Sequence, residues 1–229
     1  MTAHWTGAPI HAVIFDFDGV LADSEDWHCA AFQRVAGELG FTLLRDHYYG
    51  ELLGLPDRAC LSVLSQRAGH DATPERLDAL VARKRAVYAE LSAHVRVYPG
   101  VVEMLHRLHP HLVLAIASGA FRDEIEIVLE RDDLRHLFNG VVGAEDVTKG
   151  KPSPDPFLCA LQRINTGRPD PLNPVACVVI EDSPLGIRAA RAAGMRCIGV
   201  TTHHPAAALP ADWTIDHVRE LQLHDLVAQ

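Results

Sequence analysis

Several apolar runs of this sequence end in residues that can do chemistry. Asp16 and Asp18 follow AVIF, Ser118 and Gly119 follow LVLAIA, and Glu181 and Asp182 follow VACVVI. Acids two apart point the same way in an extended chain. Carboxylates brought within a few ångströms of one another cannot all stay ionised unless a positive charge compensates. A hard divalent cation with oxygen ligands does this, and Mg²⁺ characteristically combines one or two carboxylates with water and a phosphate. Lysine is the other telling type: only Lys84, Lys149 and Lys151 stand beside eighteen arginines. A lone acid is ordinarily a loop or helix-cap residue. Two acid pairs closing two buried runs are better explained by a site.

Such a site needs strands whose ends meet. The segments 11–19, 112–119, 139–146, 175–183 and 195–202 are short and rich in β-branched residues, as strands covered on both faces require. Helical spacing recurs between them, over 123–133, 154–164 and 184–194. The last has Pro184 after Ser183 at its start and Gly194 at its end, a sound helix start and stop. This alternation predicts an α/β, doubly wound parallel-sheet (Rossmann-like) core, whose strand C-termini share one edge where ligands bind. The alternation breaks from about 24 to 94, where WHCAAFQRVAGELG, PDRACLSVLSQRAG and PERLDALVARKRAVYAEL all read as helices. The expected organisation is a core of 1–23 and 95–229 with an inserted α-helical cap domain, 24–94. VRVYPG (95–100) is the expected return linker.

Composition narrows the function. The chain has 229 residues, with 21 Lys and Arg against 30 Asp and Glu, a formal charge of −9. That balance argues against nucleic-acid or anionic-membrane partners, which need positive charge. No apolar run approaches 18 residues, and the N-terminus lacks a charged region followed by a long apolar one, so neither a membrane span nor a secretion signal is expected. Trp5 belongs to a short tail. Five dispersed cysteines without a CxxC pair suit reduced thiols in a cytoplasmic protein. A monomer is the default expectation. No G-x-G-x-x-G follows the first strand, which argues against a nucleotide-binding Rossmann enzyme.

DFDGVLADSE (16–25), the Ser118 strand end, KGKPSPDPF (149–157) and VVIEDSPLGIRAA (178–190), in that order, resemble the haloacid dehalogenase superfamily. The likeness covers nearly the whole chain. It is closest in form to the subgroup of β-phosphoglucomutases, phosphoglycolate phosphatases and sugar-phosphate phosphatases, which carry a helical cap after the first motif. The resemblance implies that Asp16 is a nucleophile forming an aspartyl-phosphate, which divides one hard transfer into two easier ones. It implies that Asp18 is the general acid, then base. Asp16, the Asp18 backbone carbonyl and Asp182 would hold Mg²⁺, with Glu181 in direct or water-mediated support. Ser118 and the Gly119 N–H, at the start of the next helix, would bind phosphoryl oxygens. Lys151, directly before Pro152 in the KP-x-P-D-x-F pattern, would pair with the phosphoryl group and Asp16, leaving Lys149 in solvent. The presence of Asp18 favours phosphoryl transfer over carbon–halogen cleavage.

Substrate choice in such proteins comes largely from the cap. Asp23, Ser24, Glu25 and His28 match a D-S/T-E-x-x-H pattern, Lys84 with Tyr88 matches K-x-x-x-Y, and Arg58 stands near the place of a substrate-binding basic residue. Glu25, His28, Arg58 and Lys84 are therefore candidate substrate contacts, each also readable as a structural residue. The expected activity is a Mg²⁺-dependent phosphatase of a small phosphorylated metabolite, a sugar phosphate or phosphoglycolate. β-Phosphoglucomutase-type transfer between sugar hydroxyls is the alternative, and a non-catalytic binding module on the same fold is the alternative of another class. His106, His109 and His111 read as exposed. His203-His204 lacks neighbouring Cys or paired acids for a zinc site.

Overall fold

The computed structural model describes residues 9–226; Trp5 lies outside them. The chain divides into two units, Met1–Asp23 with Arg96–Gln229, and Ser24–Val95. In the first unit the strands are β1 (Ala12–Phe15), β2 (Ala22–Asp23), β3 (Arg96–Val97), β4 (Val113–Ala117), β5 (Gly140–Val142), β6 (Cys177–Glu181), β7 (Arg196–Val200) and β8 (Trp213–Ile215). Six of them form one parallel sheet in the order β5-β4-β1-β6-β7-β8. This is a doubly wound Rossmann-like sheet, with the strand order reversing at β1, the place where α/β folds bind ligands.

Every residue of β1 and β6 is buried. Alternate side chains explain why these strands read as continuous apolar runs. Ala12, Ile14, Ala115, Ala117, Cys177 and Val179 pack with Phe157, Ala160 and Ile164 of the helix Asp155–Asn165 and with Ile187 and Ala190 of the helix Pro184–Ala192. On the opposite face Val13, Phe15, Leu114, Ile116, Val178 and Ile180 are buried too, with Phe15 edge-on to Phe138 at 6.4 Å.

Two details depart from the expected pattern. Arg96 and Val97, read as linker, pair antiparallel with Asp23 and Ala22, and Tyr98 N–H donates to Leu21 O at 2.9 Å. Two-residue strands are too short to show alternation. The edge strand β8 also has no apolar run, because its three residues are only half-buried.

The unit Ser24–Val95 is helical, built on Glu25–Glu38, Asp57–Arg67 and Pro74–Leu91. Thr73 caps the last helix by accepting the Arg76 N–H, and Pro74 occupies its first turn. Cys29, Phe32, Val35 and Ala36 share a buried stripe at helical spacing. Among the described residues no helix is long and apolar enough to cross a membrane.

Candidate active site

Sheet register brings the acids together. Phe15 stands beside Ile180, so the next residues, Asp16 and Glu181, follow side by side at the sheet edge, and Asp16 N–H donates to Ile180 O at 2.9 Å. Lys151 Nζ lies 2.9 Å from Asp16 Oδ1 and 2.6 Å from Glu181 Oε1. Its side chain is held over the Phe157 ring at 5.1 Å, and the Lys151–Pro152 peptide is cis. Phe17 N–H also donates to Asp16 Oδ1, at 2.8 Å, fixing the carboxylate's orientation. Glu181 has no solvent exposure. Its Oε2 accepts the Ser183 N–H at 2.8 Å and the Ser183 hydroxyl at 2.9 Å. Ser183 then caps the helix Pro184–Ala192 by accepting the Gly186 N–H. A Cβ on Gly186 would run into the Glu181 carboxylate, so only glycine lets the helix start lie this close.

Asp18 departs from the extended-chain expectation. β1 ends at Phe15, and the Phe17 carbonyl closes a turn by accepting the N–H groups of Leu21 and Ala22 at 2.9 Å. The half-buried Asp18 takes the Ser118 hydroxyl at 3.5 Å. A carboxylate oxygen from each of Asp16, Glu181 and Asp182 lies within 4.8 Å of the others, and Asp18 is not in that group. Ser118 Oγ in turn accepts the Ala120 N–H at 3.1 Å. The following helix begins at Arg122, so Gly119 stands in the turn before it rather than in its first turn. The N–H groups at that helix start go to protein acids: Phe121 to Glu124 at 3.0 Å and Arg122 to Glu145 at 3.2 Å.

The electrostatics are unbalanced. Burial first, then Glu181, Asp182 and Asp18, pushes the Asp16 carboxyl well above the usual carboxylate range, against the pull of Lys151. Burial also opposes charge on Glu181, but Lys151 and Ser183 hold it below its ordinary value. Lys151 is desolvated as well, yet Asp16 and Glu181 raise it, so it stays an ammonium. Three clustered carboxylates beside one lysine, all hard oxygen donors, fit a divalent cation, whose positive charge would relieve the crowding that raises Asp16.

Residues 13–200 match the family of haloacid dehalogenase-like hydrolases. The chain is 33% identical over 196 residues to a phosphorylated carbohydrates phosphatase of Thermotoga maritima, covering 85% of this chain and 86% of that protein. It is 33% identical over 190 residues to the fructose-1-phosphate phosphatase YqaB of Escherichia coli, covering 82% and 95%. The crystal structure of CbbY from Rhodobacter sphaeroides in complex with phosphate superposes with a TM-score of 0.81 at 27% identity, covering 95% and 99%. The chain belongs to the haloacid dehalogenase-like hydrolase family. It is an enzyme of that family, with an aspartate-rich sheet edge and a separate helical unit.

In the helical unit of this family member, the remaining candidates have partners of their own. Lys84 is 1% exposed. Its Nζ lies 2.9 Å from Asp57 Oδ2 and 2.8 Å from His28 Nδ1, over the rings of Phe32 and Tyr88. His28 stacks on Tyr88 at 4.1 Å. Glu25 accepts the Tyr48 hydroxyl. Arg58 is exposed and bonded to Asp78 and to Pro74 O. Lys149, His106, His109 and His111 are exposed.

Sequence reasoning gave three residues no part in the site. Asp57, beside the singled-out Arg58, is the one that meets Lys84. Ser183 anchors Glu181, and its signal was the Ser-Pro helix start. His203 Nδ1 lies 2.7 Å from Asp182 Oδ2, an acid pairing that its chain neighbours do not reveal. Its place just after β7 was the signal, because the strand-end rule applies to every parallel strand.

Proposed function

We propose that this chain is a divalent-cation-dependent phosphatase, with Mg²⁺ the expected ion, acting on a small phosphorylated metabolite such as a sugar phosphate or phosphoglycolate. The observation that carries the reading is the buried Asp16 carboxylate, pinned by Lys151 at 2.9 Å beside two further acids at the switch point of the sheet. Asp16 attacks phosphorus, the ester P–O bond breaks, and Asp18 gives its proton to the leaving oxygen. Asp18 then takes a proton from water, whose oxygen attacks the phosphoryl group and releases Asp16. Lys151 and Ser118 bind phosphoryl oxygens throughout. A bound ion supplies charge neutralisation for the phosphoryl oxygens, with Asp16, Asp182 and the Asp18 carbonyl as its holders and Glu181 keeping Lys151 in place.

The named relatives are phosphatases of phosphorylated carbohydrates, which supports the substrate class. In the helical unit the two candidate cations are paired with acids, Arg58 with Asp78 and Lys84 with Asp57. The five cysteines are free, in keeping with a reducing cytoplasm.

The test is hydrolysis of p-nitrophenyl phosphate with and without Mg²⁺, by wild type and Asp16→Asn. Ion-dependent turnover that falls by about 10³-fold or more in the variant is expected. Turnover without an ion, or an unimpaired variant, overturns the mechanism. Incubation of β-glucose 1-phosphate with a bisphosphate primer is expected to yield inorganic phosphate; glucose 6-phosphate would establish the mutase instead.

A further inference from the structure

We propose that His203 is a positioning residue for the cation site, holding the Asp182 carboxylate in the orientation that meets the ion. The inference rests on the reading of Asp16 and Asp182 as ion holders. His203 Nδ1 lies 2.7 Å from Asp182 Oδ2, and the two side chains are 14% and 10% exposed. With Nδ1 as donor, the imidazole N–H holds Oδ2 and so fixes the plane of a carboxylate that also stands in the acid cluster.

Two independent features hold this pair in place. The loop carrying His203 is tied down at its start, where Thr201 N–H donates to Ile215 O at 3.0 Å and Thr201 Oγ1 to Asp216 Oδ1 at 3.1 Å. The turn after β1 makes room for the pair through Gly19, whose φ is +75°. A Cβ on Gly19 would strike the Asp182 carboxylate and come within 2.9 Å of His203 Nδ1. Three segments, following β1, β6 and β7, therefore converge on one carboxylate. A carboxylate ligand pinned through one oxygen loses less rotational freedom when the other takes an ion. Such outer hydrogen bonds are typically worth about 10–100-fold in metal affinity.

The experiment counts bound Mn²⁺ by the electron paramagnetic resonance signal of the free ion, with Mg²⁺ as competitor and no substrate present. Compared with wild type, His203→Ala is expected to bind about 10-fold more weakly or worse. His203→Asn, whose amide keeps an N–H donor near the position of Nδ1, is expected to stay within about 3-fold. His203→Leu repeats the comparison if the alanine variant does not fold. Wild-type affinity in the alanine or leucine variant overturns the role of His203 while leaving the ion site intact. Equal loss in the asparagine and alanine variants overturns positioning in favour of direct ligation by the imidazole. Failure of the wild type to bind Mn²⁺ or Mg²⁺ overturns the ion site itself, and this inference with it.

Discussion

Lys151 in the sheet unit and Lys84 in the helical unit are both buried, yet they keep different company. Lys151 meets two carboxylates directly, at 2.9 and 2.6 Å, with Asp182 and Asp18 beyond them. Lys84 meets one carboxylate at 2.9 Å, one imidazole at 2.8 Å and two aromatic faces. Around Lys84 charge is matched within the unit, so nothing further is required for its burial. Around Lys151 two carboxylates share one ammonium, with further acids beside them. A buried ion pair contributes little net stability, but an unmatched buried charge costs several kcal/mol. Several acids crowded around one ammonium make a place where a cation from outside adds favourable charge.

Removing each lysine tests that contrast. Lys151→Met is expected to have the largest effect, about 3–5 kcal/mol lost in urea denaturation, since Asp16 and Glu181 are left buried together. Added Mg²⁺ should restore part of that loss. Lys84→Met should cost less, about 2 kcal/mol, because Asp57 is 23% exposed and can be rehydrated. A larger loss for Lys84 than for Lys151 would break the comparison.

Asp146 sharpens the contrast from the opposite side, as one acid held by two arginines. Its carboxylate lies 2.6 Å from Arg163, pairs with Arg122 and accepts the Gly143 N–H at 2.9 Å. Burial raises its pKa, but the Gly143 N–H and the two arginines outweigh that and bring it below the ordinary Asp value. A lowered folded value means the contribution is present above the unfolded value, near 4, and is lost as pH falls through the folded value. Asp146→Asn should cost about 1–2 kcal/mol at neutral pH, the arginines being 41% and 33% exposed. The gap from wild type should close below about pH 4, read by urea denaturation across pH. Arg58→Ala should change stability by no more than about 1 kcal/mol, since its pair with Asp78 is in solvent. Significant loss of p-nitrophenyl phosphate turnover in that variant would mean that Arg58 serves the substrate after all.

Much of the parallel sheet was readable because strands covered on both faces leave unbroken apolar runs, and the acids closing them were readable with them. Positions in the helical unit were partly readable. Leu77, Lys84 and Val87 recur at helical spacing on the buried side of Pro74–Leu91, and Glu25 and His28 continue the buried stripe of Glu25–Glu38. A charged residue on such a stripe announces a buried partner without naming it. Gly119 was misplaced relative to the next helix because SGAF carries no start signal until the cap at Phe121–Glu124 forms.

By itself the sequence determined five of the six strands of the main sheet, their order of acids and the lysine before Pro152, because local apolar runs and short motifs are local properties. Tertiary structure decided which groups touch. Register placed Asp16 beside Glu181, a turn carried Asp18 toward Ser118, packing between helices gave Lys84 to Asp57, and the end of β7 brought His203 to Asp182. Each of these is a contact between residues far apart in the chain. Such contacts depend on how elements pack, and no spacing along one segment records them.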